Sequence, residues 1–159
     1  MKKITKFLFL IIYIFLIGEM GLRVISHFTN ISYIERLKYA KKLTASSENK
    51  NTSHKHIPGS SAKLMGVNIK LNSFGHRNKE ILDEKPINEY RIHIIGSSLI
   101  LGWGVKEENT FSKILEKKLN SNKNIKKKER NVFVINGGIS NTNTQDHLLL
   151  FQNQFTKTK

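Results

Sequence analysis

The first 28 residues, MKKITKFLFLIIYIFLIGEMGLRVISHF, constrain this chain more than any other stretch. Lys2, Lys3 and Lys6 precede an unbroken apolar run from Phe7 to Gly18, and a mostly apolar continuation reaches Phe28. A helix that is apolar all round behind a basic start is built for a bilayer, not for one side of a small soluble core. The run from Phe7 to Gly18 alone has the length of a signal-peptide hydrophobic region, whereas continuation to Phe28 reaches the roughly 20 residues that a span requires. No Ala-x-Ala cleavage site follows. Residues 1–28 are therefore expected to remain as an N-terminal membrane anchor or signal-anchor, its partner the lipid bilayer. Glu19 and Arg23 stand four residues apart, where they can pair on one helix face near an interface. Lysines and arginines flank the segment on both sides, Lys2, Lys3 and Lys6 before it and Arg36, Lys38, Lys41 and Lys42 after it. Charge alone does not orient it.

The formal net charge of +15 invites a nucleic-acid partner, and NKNIKKKERN at 122–131 is the densest basic run. The charge is mostly lysine spread along the chain, without interleaved aromatics or a binding motif, so the run reads as a solvated basic loop and no nucleic acid is expected. Attraction to anionic lipid headgroups is a secondary use for such charge on a tethered protein. Cysteine is absent, which removes both a disulfide framework and thiolate chemistry.

Beyond the anchor, residues 29–43 suit an amphipathic helix with Ile34, Leu37 and Ala40 or Lys41 on one stripe. TASSENKNTSHKHIPGSSAK then loses periodicity and reads as a linker, making 29–63 a membrane-proximal helix and linker. His54 and His56 lie in it, but two imidazoles without a third ligand nearby do not make a metal site, and none is expected. Leu64, Val67, Ile69 and Leu71 alternate as a strand or hairpin before a turn at Asn72, Ser73 and Gly75. The domain at 64–159 continues with EYRIHII, a β-branched run that stops at Gly96. A helical stripe of Phe111, Ile114, Leu115 and Leu119 follows, with Asn109 or Thr110 able to cap it. NVFVIN is a second strand, closed by Gly137 and Gly138, and Leu148, Leu149, Phe151 and Phe155 mark a second helix. Strand, helix, strand, helix implies a parallel pair joined by a crossover, the unit of an α/β sheet. Ligands of such sheets sit beyond the carboxyl ends of the strands, where both glycine-bearing turns lie.

The first of those turns holds Ser97 and Ser98. A serine there can present a hydroxyl as nucleophile and an amide N–H as oxyanion donor, and Gly138 leaves room for a second N–H. Capping of the next turn is the plainer use of the two serines. A phosphate-cradling loop is a third, weaker reading of GSSLILGWGV, which has neither the Lys-Ser/Thr of a P-loop nor Gly-x-Gly-x-x-Gly. His93 reads as a strand histidine, while His27 at the edge of the anchor and His147 beside Asp146 need no catalytic role.

RIHIIGSSLILGWGV resembles the first signature block of the SGNH hydrolases, the GDSL esterases and lipases, whose pattern is Gly-Asp-Ser-x-x-x-Gly-x-Gly. Gly96, Ser98, Gly102 and Gly104 match it. VINGGISNTNTQ is similar to the second block, with Asn136 and Gly138 on the Asn-x-Gly positions. NSFGHR and GEMGLR resemble the upstream turn and the anchor tail of membrane-anchored members. The resemblance implies a three-layer flavodoxin-like α/β sandwich, Ser98 as nucleophile, and the amides of Ser98 and Gly138 as oxyanion donors. It also implies hydrolysis or transfer of an acyl group on an ester or acylated carbohydrate, without metal or organic cofactor, and the bulk of the chain on the extracytoplasmic side. Ser97 stands where that family carries aspartate and His76 where an aromatic is usual. The third block, Gly-x-Asn-Asp, and the last, Asp-x-x-His, do not occur, so the sequence is expected to represent the amino-terminal half of such an enzyme and to be inactive as it stands. A non-catalytic anchored binding or structural protein is the alternative.

Overall fold

The computed structural model describes residues 2–28, 32–47, 52–127 and 131–154. It is a mixed α/β chain in which, among the described residues, an apolar N-terminal helix precedes three two-stranded sheets. Helix α1 spans Lys2–Phe28, and its Ile4–Phe28 segment of 25 residues is long and apolar enough to cross a membrane. At 1.5 Å per residue that segment measures about 38 Å, more than the hydrocarbon thickness of about 30 Å. Arg23 pairs with Glu19 at 2.8 Å, as their spacing predicts.

Three residues, 29–31, separate α1 from α2 (Ser32–Leu43). The buried face of α2 is Glu35, Tyr39 and Leu43, whereas Leu37 of the expected stripe is exposed. Polar partners explain the difference. The Glu35 carboxylate accepts from Lys38 Nζ at 2.7 Å and from the Met65 N–H at 2.6 Å. The Tyr39 hydroxyl meets His56 Nε2 at 2.8 Å and accepts the Ser140 N–H at 2.9 Å. Buried polar groups with two partners each are tolerated, so the helix turns this face inward.

The expected linker contains structure. Strand β1 (Thr44–Ser46) pairs antiparallel with β2 (His54–His56), and β3 (Ser61–Leu64) pairs with β4 (Val67–Lys70) as a hairpin. Met65 and Gly66 form the hairpin's two-residue loop, both at positive φ (48° and 78°), as a type I′ turn requires. The Glu35 contact to Met65 fixes this strained loop against α2. Tyr39, Leu43, Ala62, Leu64, Ile69, Leu71 and Leu101 form one core cluster, with Trp103 packed on it. The boundary expected at residues 63 and 64 therefore falls inside β3, and α2 shares a core with the domain.

The predicted strand–helix–strand–helix order holds: β5 (Glu89–Gly96), a short helix α3 (Ser98–Leu101), a 3₁₀ turn (Glu107–Asn109), α4 (Phe111–Ser121), α5 (Lys123–Lys127), β6 (Asn131–Gly138) and α6 (Thr144–Gln154). β5 and β6 are parallel and in register from Glu89↔Asn131 to Gly96↔Gly138. Thr110 caps α4, accepting from the Lys113 N–H at 3.4 Å. Phe111 and Ile114 nevertheless stay exposed, because two strands are too narrow to cover the whole stripe. In α6 the buried positions are Asp146 and Leu150; Leu148 and Phe151 are exposed, and Phe155 lies outside the described residues. The basic run expected as a loop starts as α5, with Lys123 and Asn124 exposed.

The outer edge of β6 is covered by side chains. Asn120 pairs with both the N–H and the carbonyl of Val132, at 2.8 and 2.7 Å. Glu116 accepts the Val134 N–H at 2.8 Å, and Asn78 bridges the Val134 carbonyl and the Asn136 N–H at 2.9 and 2.6 Å. This strand offers little backbone for further pairing on that side.

Candidate functional site

Ser97 and Ser98 open directly from the carboxyl end of β5, opposite the end of β6. Both are half-buried. Ser97 takes the position before α3 in extended conformation, yet its side chain makes no capping hydrogen bond. The Ser98 hydroxyl has no hydrogen-bond partner among the described residues. The backbone of Ser98 is well held, since its carbonyl accepts from the Gly102 and Trp103 N–H groups at 3.1 and 3.0 Å. The hydroxyl is thus carried on a hydrogen-bonded backbone and open to a partner, and a serine nucleophile needs in addition a base within hydrogen-bond reach.

Both serines line a cavity of about 630 Å³, within the range of small-molecule sites. Its other walls come from Tyr33, Arg36 and Tyr39 of α2, His54 of β2, Trp103, and Ser140 beyond β6. The strand-end position was legible in the sequence. The wall from α2 and β2 was not, because it rests on the packing of a segment that lacks clear periodicity.

Gly138, expected to give an oxyanion-donor amide, stands at the end of β6. Its N–H donates to Asn136 Oδ1 at 3.0 Å and it is buried, in register with Gly96. Its missing Cβ is what matters, because that atom would stand 2.7 Å from the Ile100 carbonyl carbon and against the Leu101 amide. Gly138 lets α3 lie directly on the end of β6. Asn136 completes the junction, donating from Nδ2 to the Ile100 carbonyl at 2.8 Å.

The NSFGHR turn holds the same junction from the other side. Asn72 Oδ1 accepts the Phe74 and His76 N–H groups at 3.0 and 2.9 Å, closing the turn. Arg77, 1 % exposed, donates to the carbonyls of Leu101, Gly102 and Val105 at 2.9, 2.7 and 2.7 Å. The planar fork of arginine lets one side chain reach several carbonyls of the same loop at once. Gly102 ends α3 at φ 79°, in the left-handed region, where a Cβ would stand 3.0 Å from Arg77 Nη1.

His54, expected in a linker, lines the cavity with Ser98. Its Nε2 lies 2.9 Å from the Ser140 carbonyl and its Nδ1 2.9 Å from Ser53 Oγ. A carbonyl only accepts, so Nε2 carries the proton and Nδ1 accepts from the serine. Neither nitrogen is turned to Ser98. His56 is buried between the Tyr39 hydroxyl and the Gly75 carbonyl, which its Nδ1 meets at 2.8 Å. No group of three or more metal-ligating side chains stands among the described residues. His147 meets Thr142 Oγ1 at 3.0 Å at the start of α6. Asp146 is buried there, accepting from the Asn143 and Ser53 N–H groups at 3.0 and 3.3 Å. His93, half-buried in β5, faces the His76 ring edge-on at 6.5 Å.

No protein-family model matches the chain, and no curated protein matches it.

Proposed function

We propose that this chain is a membrane-anchored serine ester hydrolase or acyltransferase of the SGNH type, acting on ester-linked acyl groups through Ser98. One observation carries the reading: the Ser98 hydroxyl has no hydrogen-bond partner among the described residues and stands on a hydrogen-bonded turn, in a cavity beyond the carboxyl ends of two parallel strands. The finer fold proposed is the three-layer flavodoxin-like sandwich. The covered outer edge of β6 supports it, because the second strand is the edge strand in the order 2-1-3-4-5. The proposed location is a membrane with the bulk of the chain outside the cytoplasm. Fusions at residue 159 to a reporter active only after export should give signal, and a signal confined to a cytoplasmic reporter overturns this orientation.

Serine is a weak nucleophile without a positioned base. His54 is the cavity's histidine and both its nitrogens are engaged elsewhere, so these 159 residues should turn over esters poorly. Joined to the Gly-x-Asn-Asp and Asp-x-x-His blocks of an anchored SGNH hydrolase, the chain should cleave a short-chain aryl ester. Ser98→Ala in that joined chain should lower kcat by about 10³-fold or more. Unchanged turnover after Ser98→Ala overturns the assignment. The engaged state of His54 also favours a second reading, an anchored binding protein that uses the cavity without chemistry. Ligand binding with no Ser98-dependent turnover in the joined chain is its mark.

A further inference from the structure

The cavity that holds Ser98 is walled by the segment that leaves the anchor. Phe28 ends α1, residues 29–31 follow, and Tyr33 and Arg36 already line the cavity from the first turns of α2. Five residues from Phe28 to Tyr33 span at most about 18 Å even when fully extended. The polar headgroup layer is itself several ångströms deep. With α1 in a bilayer, the mouth of the cavity is held within reach of the headgroups and cannot move far into the aqueous phase.

The chemistry of that wall is selective. Arg36 is exposed and has no ion-pair or hydrogen-bond partner among the described residues. A guanidinium in that state is a ready partner for phosphate or carboxylate. Lys41 and Lys42, also exposed, add positive charge to the same short helix, which draws it toward an anionic surface. Tyr33 is 70 % exposed and shares the wall with Arg36; an aromatic ring with a polar tip suits the membrane–water interface. Trp103 and Tyr39 stack edge-on at 5.5 Å and give the cavity an apolar flank. A cavity of about 630 Å³ takes a headgroup and the ester next to it, not two long acyl chains.

We infer that the cavity selects an anionic, ester-bearing amphiphile held in the same membrane, with its phosphate or carboxylate on Arg36 and its ester toward Ser98. This rests on the proposed anchored-esterase reading and names its substrate class. Recognition would begin at the anion, and the anchor would supply the substrate as a two-dimensional solute at high local concentration. Water-soluble esters would lack both advantages.

Trp103 is the chain's single tryptophan and lines the cavity, so its emission reports occupancy without any turnover. The full chain in non-ionic detergent micelles is titrated with dihexanoyl phosphatidylglycerol, dihexanoyl phosphatidylcholine or glycerol 3-phosphate. A saturable emission change is expected with phosphatidylglycerol, at a Kd well below that for either other probe. Arg36→Gln should raise that Kd about tenfold or more while leaving thermal unfolding unchanged, as loss of a charge-assisted contact requires. Equal Kd for the two lipids, an unchanged Kd in Arg36→Gln, or no saturable change overturns the anion selection. Glycerol 3-phosphate binding as tightly as phosphatidylglycerol makes the site one for a free phosphate and overturns the membrane amphiphile. Selective binding with no Ser98-dependent hydrolysis in the joined chain would sink the esterase reading and leave this recognition standing.

Discussion

A Cβ on Gly138 would stand 2.7 Å from the Ile100 carbonyl carbon, and backbone atoms of a helix already pinned by Asn136 and Arg77 cannot swing aside. Gly138→Ala is therefore expected to push α3 off the strand end. Overpacking of this kind costs about 1–3 kcal/mol, read as a lower urea midpoint, and the shift of α3 should also change Trp103 emission before unfolding. An unchanged midpoint would mean that α3 does not rest on Gly138. The spacing of Gly138 after its strand was visible in the sequence, but its part was not. Whether a glycine frees an N–H or admits a neighbour depends on what packs against it, and α3 reaches Gly138 only through the fold. Arg77 and Asn78 were hidden for the same reason: their partners in the serine loop and β6 lie 24 to 58 residues further along the chain.

At the scale of elements, the alternating β-branched runs and the helical stripe between them made β5, α4 and β6 legible. Local signals sufficed there, because glycines end both strands and Thr110 starts the helix. The segment before β5 was harder to read. Strands β1 and β2 are three residues each, too short for alternation to show, and the face of α2 is set by Glu35 and Tyr39, which meet Met65, His56 and Ser140, all remote in sequence. The expected boundary between linker and domain lies inside β3, Ser61–Leu64. Leu43 is fully buried in the cluster that also contains Leu64, Leu71 and Leu101, so Leu43→Ala should cost about 2–5 kcal/mol. The loss should appear as one lowered transition that includes β5 and β6, followed by amide exchange at Ile92–Ile95 and Val132–Ile135. Faster exchange confined to α2 would show instead that α2 is an appendage.

Across the whole molecule outside α1, two buried histidines couple stability to pH. His56 is pushed down to about 4, from an ordinary 6.5, by burial first and then by the nearby His54, against the pull of its hydrogen bond to the Gly75 carbonyl. His76 is also held at about 4, by burial first and then by His93 and His56, against its bond to the Asn136 backbone. Both depressed values favour the neutral ring in the folded protein, so in the window between 6.5 and 4 the unfolded chain binds protons that the folded chain refuses. Stability is then full above pH 6.5 and falls as the pH drops through that window, by about 1.4 kcal/mol per unit for each histidine at the steepest. The two rings sit at different junctions. His56 joins β2 to α2 through Tyr39, while His76 lies in the turn that positions Arg77 and Asn78 beneath the serine loop. Protonation should therefore loosen the α2 wall and the serine turn together, and Trp103, between them, should report it. Urea unfolding of the full chain in micelles at pH 7, 6 and 5 is expected to show the midpoint falling with each step, with flat behaviour between pH 7 and 8. Replacing either histidine by glutamine in a variant that still unfolds cooperatively should roughly halve that slope. A midpoint independent of pH from 7 to 5 would show that these rings are not buried in the neutral form.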